Sequence, residues 1–179
     1  IVRFGNSELN YVAGGEKDNQ EQCYFLRKRL VKVLDSHAKE TSYVVGFPLD
    51  ATIMRDSRHR EVTGAIWDGN PKLVVEAYAK SDYIYLSPFL FRLKNVVSDD
   101  KKEYIKKIKR LFENRNIIYV GPESGKNKEI WSEIKTNAII NIPENNAFLL
   151  FDQIKAQVIE EASKYDDPLV LVVGGITAT

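Results

Sequence analysis

The feature that most constrains this chain is an alternation that runs its whole length: short apolar runs separated by stretches with helical periodicity. The run Leu169 to Val173 is the sharpest case. It carries no polar alternation, so it is expected to be buried on both faces, as strands of a covered parallel sheet are. Val2 to Phe4, Tyr43 to Phe47, Asp82 to Leu86, Asn116 to Val120 and Ala138 to Ile142 read as companion strands. Between them, Cys23, Leu26, Leu30 and Val33 recur at helical spacing and predict one buried stripe. Tyr104, Ile105, Ile108, Leu111 and Phe112 predict a second, behind a cap at Ser98 with Asp99 and Asp100 in the first turn. Ala147, Phe151, Ile154 and Val158 predict a third, capped by Asn146, and shorter helices are expected from Pro71 and over Lys128 to Lys135. Such alternation argues for an α/β fold, a three-layer domain with a mostly parallel sheet.

Composition narrows the function. A length of 179 residues at 44% hydrophobic suits one ordinary domain with a sizeable core. The lone Cys23 excludes an internal disulfide and a multi-cysteine zinc site, and two histidines, His37 and His59, exclude a histidine-rich metal centre. Cys23 reads as a small core residue, and His37 as the end of its helix, beside a carbonyl. Lys+Arg (26) and Asp+Glu (25) nearly cancel, so nucleic acid is not an expected partner. No apolar run reaches the roughly eighteen residues of a membrane span. The chain opens Ile1-Val2-Arg3 without a basic leader, and with its single cysteine a cytoplasmic location is expected. Both ends read as cuts at or within a fold, so residues 1–179 are expected to be a single domain taken from a longer chain.

In open α/β sheets ligands sit beyond the carboxyl ends of the strands, which selects four loops. They are Gly5-Asn6-Ser7-Glu8, Gly121-Pro122-Glu123-Ser124-Gly125-Lys126, Pro143-Glu144-Asn145-Asn146 and Gly174-Gly175-Ile176-Thr177. Small hydrogen-bonding residues gather there, as a phosphate or sugar site requires. Each has two readings. Gly174-Gly175 either makes a tight turn or contacts phosphate; Asn146 is a helix cap or a ligand contact; Glu8 is a solvated loop acid or a cation ligand. The loop at Gly121 matches neither the Rossmann nor the Walker pattern. The polar stretch Leu49 to Asn70 is long for a compact domain and holds His59, a candidate base. Lys101, Lys102, Lys106, Lys107, Lys109 and Arg110 form either a solvated helix face or a basic surface for anionic lipid or a pyrophosphate-carrying acceptor.

Several blocks together resemble one family. Arg3-Phe4-Gly5-Asn6-Ser7-Glu8-Leu9-Asn10 resembles the opening R-F-G-D-G-E-F block of GT-D-type glycosyltransferases. Pro143, Asn146-Ala147-Phe148 and Asp152-Gln153-Ile154 resemble that family's P-x-x-N-A-F-x-x-Y-D-x-I segment, and Leu171 to Thr179 its L-x-x-x-G-P-T-A-T strand and turn. Gly46-Phe47-Pro48 and Ser87-Pro88-Phe89 fall in order between them. The family's Asp-x-Glu motif lands on Asn6-Ser7-Glu8, with Asn6 in place of the aspartate; its Val-Glu-Gly lands on Gly121-Pro122-Glu123; and its S-R-P arginine has no match at Ser87-Pro88, Arg92 being the nearest. The chain resembles a divergent member.

The resemblance implies a Rossmann-like fold and transfer of a sugar, as by a hexosyltransferase, from a nucleotide-sugar donor, typically UDP-linked. The acceptor would be a glycan or glycoprotein, in surface-polysaccharide or glycoprotein assembly. It implies a divalent metal, Mn or Mg, held by Glu8 and Asn6. On this reading Glu8, Glu123 and His59 are the catalytic candidates. Gly5, Asn6, Ser7, Gly121, Ser124, Lys126, Asn146, Gly174, Gly175 and Thr177 would bind the donor, with Leu49–Asn70 as a lid. The loops Gly5–Glu8, Gly121–Ser124 and Gly174–Thr177 are expected around one cleft. Two rival readings stand beside it: a catalytically silent relative kept as a binding or regulatory domain, and an unrelated Rossmann-like enzyme acting on a phosphorylated small molecule.

Overall fold

The computed structural model describes residues 1–15, 20–37, 39, 44–46, 74, 77–78, 85, 101–126 and 132–174. These fall in two compact units, Ile1–Leu90 and Phe91–Ala178. His59 and the rest of Leu49–Asn70, the cap at Ser98–Asp100, most of Asp82–Leu86, and Gly175 and Thr177 lie outside the described residues.

In the first unit, β1 (Val2–Arg3) pairs in parallel with β2 (Val45–Gly46), Val2 opposite Val45 and Arg3 opposite Gly46. Two helices separate them in sequence, α1 (Asn6–Val12) and α2 (Tyr24–Ser36). Phe4, Leu9, Tyr11, Leu26, Leu30, Leu34 and Val45 are buried. The phenol of Tyr11 fixes the link between the helices: it accepts the Cys23 N–H at 2.6 Å and donates to the Glu21 carbonyl at 2.7 Å. The predicted stripe of α2 needs correction. Its fully buried members are Leu26, Leu30 and Leu34, a strict four-residue spacing, whereas Val33 is half-buried. Cys23 precedes the first turn and is half-buried, so it is a helix-entry residue and not a core one. His37 ends the helix, buried, with Nδ1 2.5 Å from the Leu34 carbonyl and Nε2 2.5 Å from the Tyr85 hydroxyl. A carbonyl only accepts, so Nδ1 donates to the Leu34 carbonyl.

In the second unit, β3 (Ile117–Gly121) lies between β4 (Ala138–Asn141) and β5 (Leu169–Val172), both parallel to it. The other elements are α3 (Lys101–Arg110), the short α4 (Glu123–Lys126), a 3-10 turn (Ala147–Leu150) and α5 (Phe151–Ala162). Alternate residues of β3 serve opposite faces, as strand geometry dictates. Ile118 and Val120 join Ile140, Ile142 and Ala147 under Ile154 and Val158 of α5. Ile117 joins Ile108 of α3 and Ile134, with Tyr104, Ile105 and Phe112 packed around them. Helices on both faces of a parallel sheet make the expected α/β layering. Each such aliphatic side chain contributes about 2 kcal/mol through burial.

The burial expectation for Leu169–Val173 does not hold. Leu169, Val170 and Leu171 are half-buried and Val172 is exposed, because β5 pairs with β3 on one side only among the described residues. Within this three-stranded sheet the fully buried strand is β3, every residue of it. Leu111, expected in the α3 stripe, is 58% exposed just past the helix end. Asn146 does not cap the long helix: it adopts a left-handed conformation (φ 52°) before the 3-10 turn, makes no side-chain capping bond, and its carbonyl accepts the Leu149 N–H at 3.0 Å.

Candidate functional site

At the carboxyl end of β1 the chain passes through Phe4 and Gly5 directly into α1. Glu8 is therefore not a loop acid, as expected, but sits in the first helical turn, 1% exposed. Its Oε2 accepts the Gly5 N–H at 2.7 Å, satisfying a backbone donor that the helix start would otherwise leave bare. The same oxygen lies 3.7 Å from the guanidinium of Arg3, whose side chain is 36% exposed. A Cβ on Gly5 would stand 3.0 Å from both Arg3 Nη2 and Glu8 Oε2, tighter than an ordinary contact. Arg3, Gly5 and Glu8 thus form one packed unit. Asn6 and Ser7 are the first two residues of the same turn.

In the second unit, parallel pairing puts the carboxyl ends of β3, β4 and β5 on one edge, and with them Gly121–Ser124, Ile142–Asn146 and Val173–Gly174. Strand order reverses at β3: the chain adds β4 on one side, then β5 on the other. Such a reversal is where open α/β sheets bind ligands. Glu123 is exposed at the start of α4. The Ser124 hydroxyl donates to Glu144 across the ends of β3 and β4. Gly121 and Gly125 have a packing reason that the sequence did not reveal. A Cβ on Gly121 would lie 2.6 Å from the Tyr119 hydroxyl and 2.8 Å from the Val173 carbonyl, and one on Gly125 2.8 Å from the same hydroxyl. Tyr119 is 1% exposed, and burial pushes its phenol above the usual tyrosine pKa.

Lys126, expected to meet a diphosphate, is turned inward: Nζ donates to the Ile134 carbonyl at 2.9 Å and lies 5.9 Å from the Tyr119 ring centroid, within cation–π range. Partial burial lowers its pKa. On α3, Lys101, Lys102, Lys106, Lys107 and Arg110 are exposed, while Lys109 pairs with Glu133 at 2.8 Å. Sequence reasoning gave Arg3, Tyr119 and Glu144 no role of their own, although Arg3 lies in the opening block and Glu144 in one of the four loops.

A divalent ion needs carboxylate oxygens presented toward it. The Glu8 carboxylate is buried and already serves a guanidinium and a backbone N–H. Among the described residues, no three His, Cys, Asp or Glu side chains gather as a metal-binding group. As the described residues stand, Glu8 Oε2 is not presented toward an open cation site. No helix among the described residues is long and apolar enough to cross a membrane.

The family model described as the glycosyltransferase GT-D fold matches residues 1–179. A solved structure of the domain of unknown function 1792, described as having a distinct glycosyltransferase fold, superposes with a TM-score of 0.74 at 19% identity. That match covers 98% of this chain and 64% of the other. A structure described as a new glycosyltransferase of the same domain class, from Streptococcus sanguinis, gives a TM-score of 0.77 at 22% identity, over 99% of this chain and 67% of that one. At these identities the likeness is one of fold, and this chain spans about two thirds of the solved chains' length. No protein of curated function matches it.

Proposed function

Since the chain belongs to the family of glycosyltransferases with the GT-D fold, we propose that it transfers a sugar from a UDP-linked donor to a hydroxyl of a glycan or glycoprotein acceptor. The match of the family over residues 1–179 carries this reading. Polar loops at the carboxyl edges of parallel strands support it. In the reaction the acceptor oxygen bonds to the anomeric carbon, the bond from that carbon to the diphosphate breaks, and the acceptor proton passes to a base. The exposed Glu123 is the candidate base on the described edge, with His59 as the second candidate. The exposed lysines of α3 support contact with an anionic surface such as lipid headgroups.

The test is a thermal-shift panel of nucleotides and nucleotide sugars. A bound donor at a hundredfold excess over Kd stabilises by about 2.7 kcal/mol, which raises Tm by several degrees. UDP and a UDP-sugar are expected to do so; a panel without any shift contradicts the proposal. One observation favours a second reading, a silent binding domain: Asn6 stands where the family has Asp, beside a Glu8 already engaged. Stabilisation by UDP-sugars without release of UDP over hours would select that reading.

A further inference from the structure

The turn after β1 differs from the metal-binding arrangement that an Asp-x-Glu motif implies, and the difference is one of charge as well as geometry. With Asn6 in place of Asp, the charged side chains of Arg3–Glu8 are Arg3 and Glu8 alone, and they cancel. An aspartate at position 6 would leave the turn anionic, and a diphosphate would then need a cation between it and the protein. Here the turn is neutral, and its cationic group is the Arg3 guanidinium. Glu8, 1% exposed, holds the Gly5 N–H at 2.7 Å and faces the Arg3 guanidinium at 3.7 Å, and a Cβ at Gly5 would crowd both groups at 3.0 Å. A divalent ion at that carboxylate would have to displace or repel the guanidinium. Arg3 itself ends β1, on the edge where parallel strands present ligand sites, and more than a third of its side chain is open to solvent. A guanidinium beside a buried carboxylate carries planar N–H donors that suit phosphate oxygens.

Resting on the donor reading above, we infer that this turn meets the donor's diphosphate through the guanidinium of Arg3, with Glu8 as the positioning carboxylate and no divalent ion bound at the turn. Two titrations of the whole chain test it. Electron paramagnetic resonance of Mn²⁺ alone is expected to show the free-ion signal undiminished by the protein; Mn²⁺ that binds and is lost on Glu8→Gln overturns the inference. Calorimetry with UDP is expected to give the same Kd in EDTA and in Mn²⁺. Arg3→Gln should weaken UDP about tenfold or more, with partial recovery in Arg3→Lys. Glu8→Gln should weaken UDP less. Uridine, which lacks the phosphates, should bind all these variants as it binds the parent, a pattern that mere loss of structure would not produce. UDP binding only with Mn²⁺ overturns this inference and leaves the donor reading standing. No binding of UDP in either buffer overturns the donor reading, and the inference falls with it.

Discussion

The turns after β1 and β3 are built from the same vocabulary, a glycine at or just beyond the strand's end and a glutamate soon after it, yet their glutamates have opposite fates. After β1 the acid turns inward: Glu8 is buried and spends its Oε2 on the Gly5 N–H and Arg3. After β3 the acid stays out, and the buried polar group is instead the Tyr119 phenol, over which Gly121 and Gly125 close. In the first turn the acid is architecture and the neighbouring arginine is only partly buried. In the second the glycines are architecture and the acid faces solvent. A loop motif of glycine and glutamate therefore does not reveal which residue is left for a ligand; the packing of its neighbours decides.

The largest test of this contrast is Gly121→Ala. The added methyl would meet a buried hydroxyl and a backbone carbonyl, so a loss of about 3 kcal/mol is expected in urea unfolding. Adding Tyr119→Phe to that variant should recover only part of it, since the Val173 carbonyl remains in the way. Full tolerance of Gly121→Ala would contradict the packing role of this glycine. Next comes Glu8→Ala, which strands the Gly5 N–H and is expected to cost about 2 kcal/mol, with Glu8→Gln costing about half because an acceptor remains. Equal, negligible losses for both would erase the contrast between the two turns.

Tyr119→Phe alone gives up a hydrogen bond of 3.3 Å to the Pro122 carbonyl and should cost no more than about 1 kcal/mol at neutral pH. Its signature is in the pH profile. Burial raises the folded-state pKa of Tyr119 above 10.0, so its contribution is complete below the unfolded tyrosine value and is lost as pH rises through the raised one. Chemical denaturation between neutral and alkaline pH should therefore fall less steeply in the variant. The smallest effect belongs to Ser124→Ala. Its pair with Glu144 is exposed, so stability should stay within about 0.5 kcal/mol of the parent, read from the same urea curves.

Much of the scaffold was legible in the residues themselves. Ile117–Gly121 and Ala138–Asn141 fall within a residue of the expected strands, and Ile108, Ala147, Ile154 and Val158 pack where their spacing placed them. Periodicity reports local geometry, and these are local facts. What it missed depends on partners distant in sequence. The apolar run at β5 read as buried on both faces, but burial also depends on neighbouring strands, and among the described residues β3 has them on both sides. Lys126 read as a candidate phosphate ligand, and nothing in its spacing showed that Ile134 and Tyr119 give it a carbonyl and a ring. Glu8 was singled out as the acid of the first loop, and spacing alone does not say that it opens a helix or that Gly5 and Arg3 close on it.

The most direct measurement is hydrogen–deuterium exchange with and without UDP, in EDTA, read on the peptide that contains Arg3 to Leu9. If Arg3 meets the diphosphate on a turn held by Glu8, UDP slows exchange there, and does so without added metal. Exchange that UDP leaves unchanged in EDTA and slows only when Mn²⁺ is restored would contradict the account.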